Sequence, residues 1–222
     1  MFHSSTISFL KELKKNNNKP WFDNHKAKYL SAKLDFENFV QEIITTISSF
    51  DDDIKELQVK NCTFRINRDI RFSKDKTPYK TNMGTSFNRG GKKSIFAGYY
   101  FHLEPGGKSF VGGGLWMPEA IALKKLRQEI DYCFPEFKKI ITSPSFIKQY
   151  HGLEMNDGQM LVNVPKGYDK KNPAASFLKL KSFVATKNIS DTLLTSHGLA
   201  KETEQAFKAL MPLVKFMNRS ME

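Results

Sequence analysis

The apolar residues Phe22, Tyr29, Phe36, Val40, Ile43 and Ile47 return at steps of seven, seven, four, three and four. That spacing keeps all six on one side of a helix, and a helix with one apolar side must lay it on a partner. It predicts a long helix over about 21–48. A second stripe, from Leu199 through Phe207 and Leu210 to Met217, predicts a last helix over 195–218, with Pro212 removing one backbone bond inside it. Between the two stripes the period changes to two. TFRINRDIRF, MGTSFN, SIFAGYYFHLE, KSFVGGGLW, QMLVNVP and FVATKNI all read as strands. EPGGK reads as a hairpin turn, since Gly106 and Gly107 can take positive φ. Gly112, Gly113 and Gly114 inside a strand imply a bulge or a close backbone approach. Thr6 is placed to cap a first short helix, and Pro118 and Glu119 to open another that runs to about Tyr132. Helices at both ends of a mostly antiparallel sheet predict one α+β domain over residues 1–222.

The sequence narrows the function classes. No run of 18 apolar residues occurs, so no membrane-spanning helix is expected. The first residues lack the basic and apolar regions of a signal peptide, and Cys62 and Cys133 are the only cysteines. A cytoplasmic chain with reduced thiols follows as the expectation. The five histidines show no metal-ligand spacing, and there is no GxSxG, P-loop or GxGxxG dinucleotide motif. No metal and no cofactor is expected. His102 and Glu104 share one face of a strand, which suits acid–base work or a metal or, more simply, a solvated polar face.

The charge is local. The net charge is +12, and residues 60–93 hold ten Lys or Arg against two acids. Residues 161–188 hold six lysines against one acid. Local positive charge attracts phosphate and nucleic acid. The core of the first cluster is FRINRDIRFSKDKTPYKT at 64–81, read as a strand followed by a loop stiffened by Pro78. Alternation puts Arg65, Asp69 and Arg71 on one face and Arg68 on the other, among Phe64, Ile66 and Ile70. Arg68 has two readings: a structural arginine–carboxylate pair, or a guanidinium held at a cleft for an anion. Asp69 reads as the group that fixes the arginine forks, since neighbouring cations keep it ionised and a poor base. Lys76 and Lys80 extend the anion site, and Tyr79 offers a stacking face. The candidate ligand-binding set is Arg65, Arg68, Asp69, Arg71, Lys76, Tyr79 and Lys80. Its expected partner is a phosphate-bearing ligand, nucleotide or nucleic acid. An enzyme acting on such a ligand and a purely structural salt-bridge network are the alternatives.

The stretches WFDNHKAKY, FRINRDIRFSKDKTPYKTNMG, GYYFHLEPGG with SFVGGGLWMPE, and PKGYDKKNPA together resemble domain-of-unknown-function family 2461, conserved hypothetical proteins of bacteria and fungi. The resemblance runs over nearly the whole chain and implies a single unit, without an activity. It also implies a histidine in many members where Asn172 stands here, so a titratable group is missing at that one position.

Overall fold

The computed structural model describes residues 1–156 and 158–222. Three helices come first: α1 (Ser4–Lys15), α2 (Lys19–Asn24) and α3 (Lys26–Ser48). The short α4 (Val59–Cys62) follows. Strands β1 (Met83–Asn88), β2 (Gly98–Leu103) and β3 (Ser109–Leu115) form a meander. Four helices then cross over to the last strand: α5 (Ala120–Tyr132), α6 (Phe134–Ile141), α7 (Pro144–Tyr150) and α8 (Ala175–Leu178). Strand β4 (Phe183–Ile189) lies beside β3, and α9 (Asp191–Leu194) and α10 (Leu199–Arg219) end the chain. The sheet runs β1-β2-β3-β4, and every pairing is antiparallel. This is the expected α+β arrangement, helices at both ends and an antiparallel sheet between them. Among the described residues no helix is long and apolar enough to cross a membrane.

Alternation splits the sheet into two faces. One carries Phe87, Tyr99, Phe101, Val111 and Ala185, all fully buried. The apolar stripes of α3 and α10 close over it. Phe39 joins the two layers, with its ring 4.8 Å from both Phe2 and Phe101. Phe207 and Leu210 of α10 are completely covered, and burying each such side chain contributes about 1.5–3 kcal/mol. The charged groups on this face are paired, while the buried Thr85 hydroxyl has no partner among the described residues. Lys187 binds Glu202 and Gln149, and the buried Asp51 accepts from the Tyr99 hydroxyl at 2.7 Å and from Lys215 at 2.6 Å.

Local chemistry moves several predicted boundaries. The long first helix is broken after Asn24, where the His25 ring stacks on Trp21 at 4.1 Å and its Nδ1–H donates to the Trp21 carbonyl. Thr6 does not cap α1. Its hydroxyl and the His3 N–H both donate to Asp35 of α3, so a carboxylate on a packed helix satisfies that terminus. QMLVNVP makes only one bridge, Met160 with Leu180. The turn at Gly106 and Gly107 takes φ of 96° and 73° as predicted, and its two N–H groups donate to the Asp191 carboxylate.

The largest departure is the basic segment. Residues 64–81 form no strand. They make a loop tied down by isolated bridges, Thr63 with Thr85 and Asn67 with Tyr79. The physical reason is visible in the aspartates. Asp69 and Asp75 each accept from the backbone N–H two residues on, that of Arg71 at 3.3 Å and that of Thr77 at 2.9 Å. Such turns hold the backbone in a shape a strand cannot share.

Candidate functional site

Among the described residues no helix covers the second face of the sheet. Its register sets out three rows across the strands: Gly84, His102, Phe110 and Asn188; then Ser86, Tyr100, Gly112 and Thr186; then Asn88, Gly98, Gly114 and Val184. These rows floor a cleft of about 1030 Å³. Its walls come from the loop before β1, from residues 92–96, and from Glu154 and Gln159 of the crossover. Glycine keeps the floor low. A Cβ at Gly84 would lie 2.5 Å from the Tyr100 hydroxyl, so the missing side chain is where the phenol sits. Gly114 has φ +120°, and a Cβ there would come within 2.0 Å of the Phe183 carbonyl. The close backbone approach expected of the glycine run is thus present.

Tyr100 and His102 of β2 line the cleft, and Glu104 follows just past the end of the strand. The Tyr100 hydroxyl lies 3.2 Å from His102 Nδ1, and His102 Nε2 lies 3.3 Å from Glu104 Oε2. With Glu104 ionised, Nε2 carries the proton and Nδ1 accepts from the phenol. The imidazole also stacks on Phe110 at 4.8 Å. Burial pushes the His102 pKa down against the opposing pull of Glu104. Burial pushes the Tyr100 phenol up to about 12. Lys14 and Lys108 stand 3.7 and 3.9 Å from the other Glu104 oxygen. The side chains of His102 and Glu104 are only 14% and 15% exposed, so they are enclosed rather than solvated.

The predicted ligand-binding residues divide into two groups. The first is satisfied within the loop. Arg68 donates to Asp75 at 2.5 Å and to the Thr77 carbonyl at 3.1 Å. The Thr77 N–H and then Arg68 hold the Asp75 pKa down to about 2. Arg71 makes a two-point contact with Asp69, at 3.0 and 2.7 Å, which lowers the Asp69 pKa. Lys76 donates to the Ile70 carbonyl. Tyr79 is buried with its ring stacked on Phe22 at 4.0 Å, and Asn17 brackets its backbone from both sides. The second group is Lys80 and Arg65. Neither has a carboxylate within ion-pair distance among the described residues. Lys80 is partly buried at the edge of the cleft, its ammonium 5.5 Å from the centre of the Phe64 ring. Burial, and then the neighbouring Arg65 charge, lower its pKa. Arg65 lines a smaller adjoining cavity of about 320 Å³ that shares Phe64, Asn82 and Lys92 with the main cleft.

The lysines Lys166, Lys170 and Lys171 do not line the cleft. Among the described residues no group of three or more His, Cys, Asp or Glu side chains converges as metal ligands. Sequence reasoning missed Tyr100, Trp116, Glu154 and Thr186 as cleft residues. For Tyr100 the signal was there, since it precedes His102 and Glu104 at the same period of two.

A family model described as conserved hypothetical protein (DUF2461) matches residues 5–216. No curated protein and no solved structure matches the chain.

Proposed function

We propose, for a chain that belongs to the DUF2461 family of conserved hypothetical proteins, that it binds a phosphate-bearing ligand in the open cleft of the sheet, with Lys80 and Arg65 holding the anion. The observation that carries this reading is Lys80: a partly buried ammonium with no carboxylate, next to a second unpaired cation, at the mouth of a large cavity. Drawing two like charges together and partly desolvating one of them costs free energy. An anion placed between them offsets that cost. Arg68, Asp69, Arg71 and Lys76 shape the loop that presents Lys80, and Tyr79 anchors it on α2 through Phe22. Partial satisfaction of the loop before binding lowers the entropy lost on binding.

The test is thermal shift and calorimetry with inorganic pyrophosphate and nucleoside phosphates, on the natural chain and on Lys80→Gln. Phosphate ligands should raise the melting temperature of the natural chain. Lys80→Gln should abolish that rise without lowering the melting temperature of the free protein. If pyrophosphate and nucleotides leave the natural chain unmoved at low salt, the reading fails.

A second reading is favoured by one observation. The chain of Tyr100, His102 and Glu104 is a hydrogen-bonded proton path that ends in the cleft. An enzyme acting on the bound ligand would use Tyr100 as donor and His102 as the group that takes up or returns the proton. Turnover with a bell-shaped pH profile, lost in Tyr100→Phe, would support it over binding alone.

A further inference from the structure

The cleft extends well beyond the cations, and its far end is built differently. Trp116 stands there, 61% exposed and without an aromatic neighbour among the described residues. The next residue, Met117, has φ +42°, a left-handed backbone that a branched or long side chain rarely adopts. Its N–H is held by the buried Ser182 hydroxyl at 2.9 Å. A strained backbone pinned by a buried group fixes where the indole stands. Beside it the floor is bare peptide, Gly98 opposite Gly114. A second exposed aromatic, Phe64 at 41%, marks the cation end, its N–H bonded to the Gly84 carbonyl.

The register gives the distance between these ends. The Gly84 row and the Gly114 row are four residues apart, and Trp116 lies two residues beyond Gly114, just past the end of β3. At about 3.3 Å per residue the span is roughly 20 Å, longer than one nucleotide. Flat aromatic faces at both ends, cations at one, and Asn88, Thr186 and Gln159 between them match a strand whose bases stack and whose phosphates are gripped. Glu154, bonded to Thr186 by the far wall, disfavours phosphate there and leaves that end to a base.

We infer that the cleft takes a short single-stranded nucleic-acid segment of about four nucleotides, at the low end of known single-strand sites, with bases stacked on Phe64 and Trp116 and a backbone phosphate between Lys80 and Arg65. This rests on the phosphate reading above and narrows it from nucleotides in general to an oligonucleotide.

The experiment titrates thymidine oligonucleotides of one, two, four and six residues into Trp21→Phe, in which Trp116 is the only indole. Pyrophosphate is titrated in parallel into the natural chain. The tetranucleotide should quench Trp116 fluorescence saturably and bind at least tenfold more tightly than the dinucleotide, with little further gain at six. Trp116→Ala should weaken the tetranucleotide about tenfold, and Trp116→Phe should restore most of the loss. The salt slope of binding should flatten in Lys80→Gln. If pyrophosphate binds and the mononucleotide binds as tightly as the tetranucleotide, the oligonucleotide inference is overturned and the phosphate reading stands. If neither pyrophosphate nor any oligonucleotide binds, both fall.

Discussion

Tyr99 and Tyr100 are consecutive residues of one strand, and they live in opposite worlds. Tyr99 points to the helix-covered face, is fully buried, and gives its hydroxyl to Asp51, which also holds Lys215. Lys215 in turn reaches Asp53 at 2.8 Å. Every strong polar group in that chain has a partner. Tyr100 points to the open face, where its hydroxyl meets His102 and a cavity lies above it. The two networks show how to tell an anchor from a site. An anchor closes its charges on itself, whereas a site leaves capacity facing a space.

The largest expected effect tests the anchor. Asp51→Ala leaves the Tyr99 hydroxyl buried without an acceptor and removes the carboxylate that faces Lys215. It should cost about 3–5 kcal/mol of unfolding free energy, as for breaking a buried pair, read by denaturant melts. A loss under about 1 kcal/mol, the range of an exposed ion pair, would erase the contrast between the faces.

Next comes Arg68→Ala, which asks to which class the basic loop belongs. Arg68 is one-quarter exposed and its partner Asp75 is mostly exposed, so the contact is partly screened. Removing it should cost about 1.5–3 kcal/mol, the range for hydrogen bonds to charged groups. The loss falls below that of Asp51→Ala. An unchanged melt with lost ligand binding would move Arg68 from the anchors to the site.

The sheet was legible because burial enforces alternation. The strands MGTSFN and FVATKNI were readable, as was the stripe of α10, while SIFAGYYFHLE was read too long, since the strand begins only at Gly98 and ends at Leu103. The hairpin turn was readable because only glycine takes its φ without strain. What the sequence could not show was pairing at a distance. Asp51 is 48 residues from Tyr99, so nothing local marks one tyrosine as anchor and the other as free. The basic segment misled for a different reason. Its period of two is genuine, but the turns made by Asp69 and Asp75 compete with a ladder and win. The same aspartates pair Arg71 and Arg68, although Arg68 and Asp69 still line the cleft, and Phe22 covers the ring of Tyr79. Lys80 and Arg65 remain because, among the described residues, no acid of the loop comes within ion-pair distance of them, although, after the Arg71 hydrogen bonds, the Arg65 charge helps to lower the Asp69 pKa.

A smaller effect tests the open side. Tyr100→Phe removes a hydroxyl whose partner, His102, keeps Glu104. Stability should fall by less than about 1 kcal/mol, near the net worth of one hydrogen bond. Tyr99→Phe should cost more, since it strips a donor from the buried Asp51. Equal losses from the two substitutions would mean that the open network is also an anchor.

The finest test is in the pH dependence of stability, where the tyrosine–histidine network of the open face should give a slope between pH 7.5 and 5 and Tyr99 none. Burial lowers the His102 pKa below its ordinary value of 6.5 although Glu104 pulls the other way. The folded chain therefore holds fewer protons than the unfolded chain as pH falls below 6.5, and its stability declines there. The contribution is fully present above 6.5 and is lost as pH drops toward the folded pKa. His102→Gln should flatten that part of the profile, measured as melting temperature from pH 7.5 to 5. Glu104→Gln should steepen it, because the group that restrains the shift is gone. Tyr99, whose phenol burial and Asp51 push far above the neutral range, has nothing to titrate in this window. Tyr99→Phe should lower the whole profile without changing its slope. A profile that keeps its acid slope in His102→Gln would place the titrating group outside the cleft and remove the proton path from consideration.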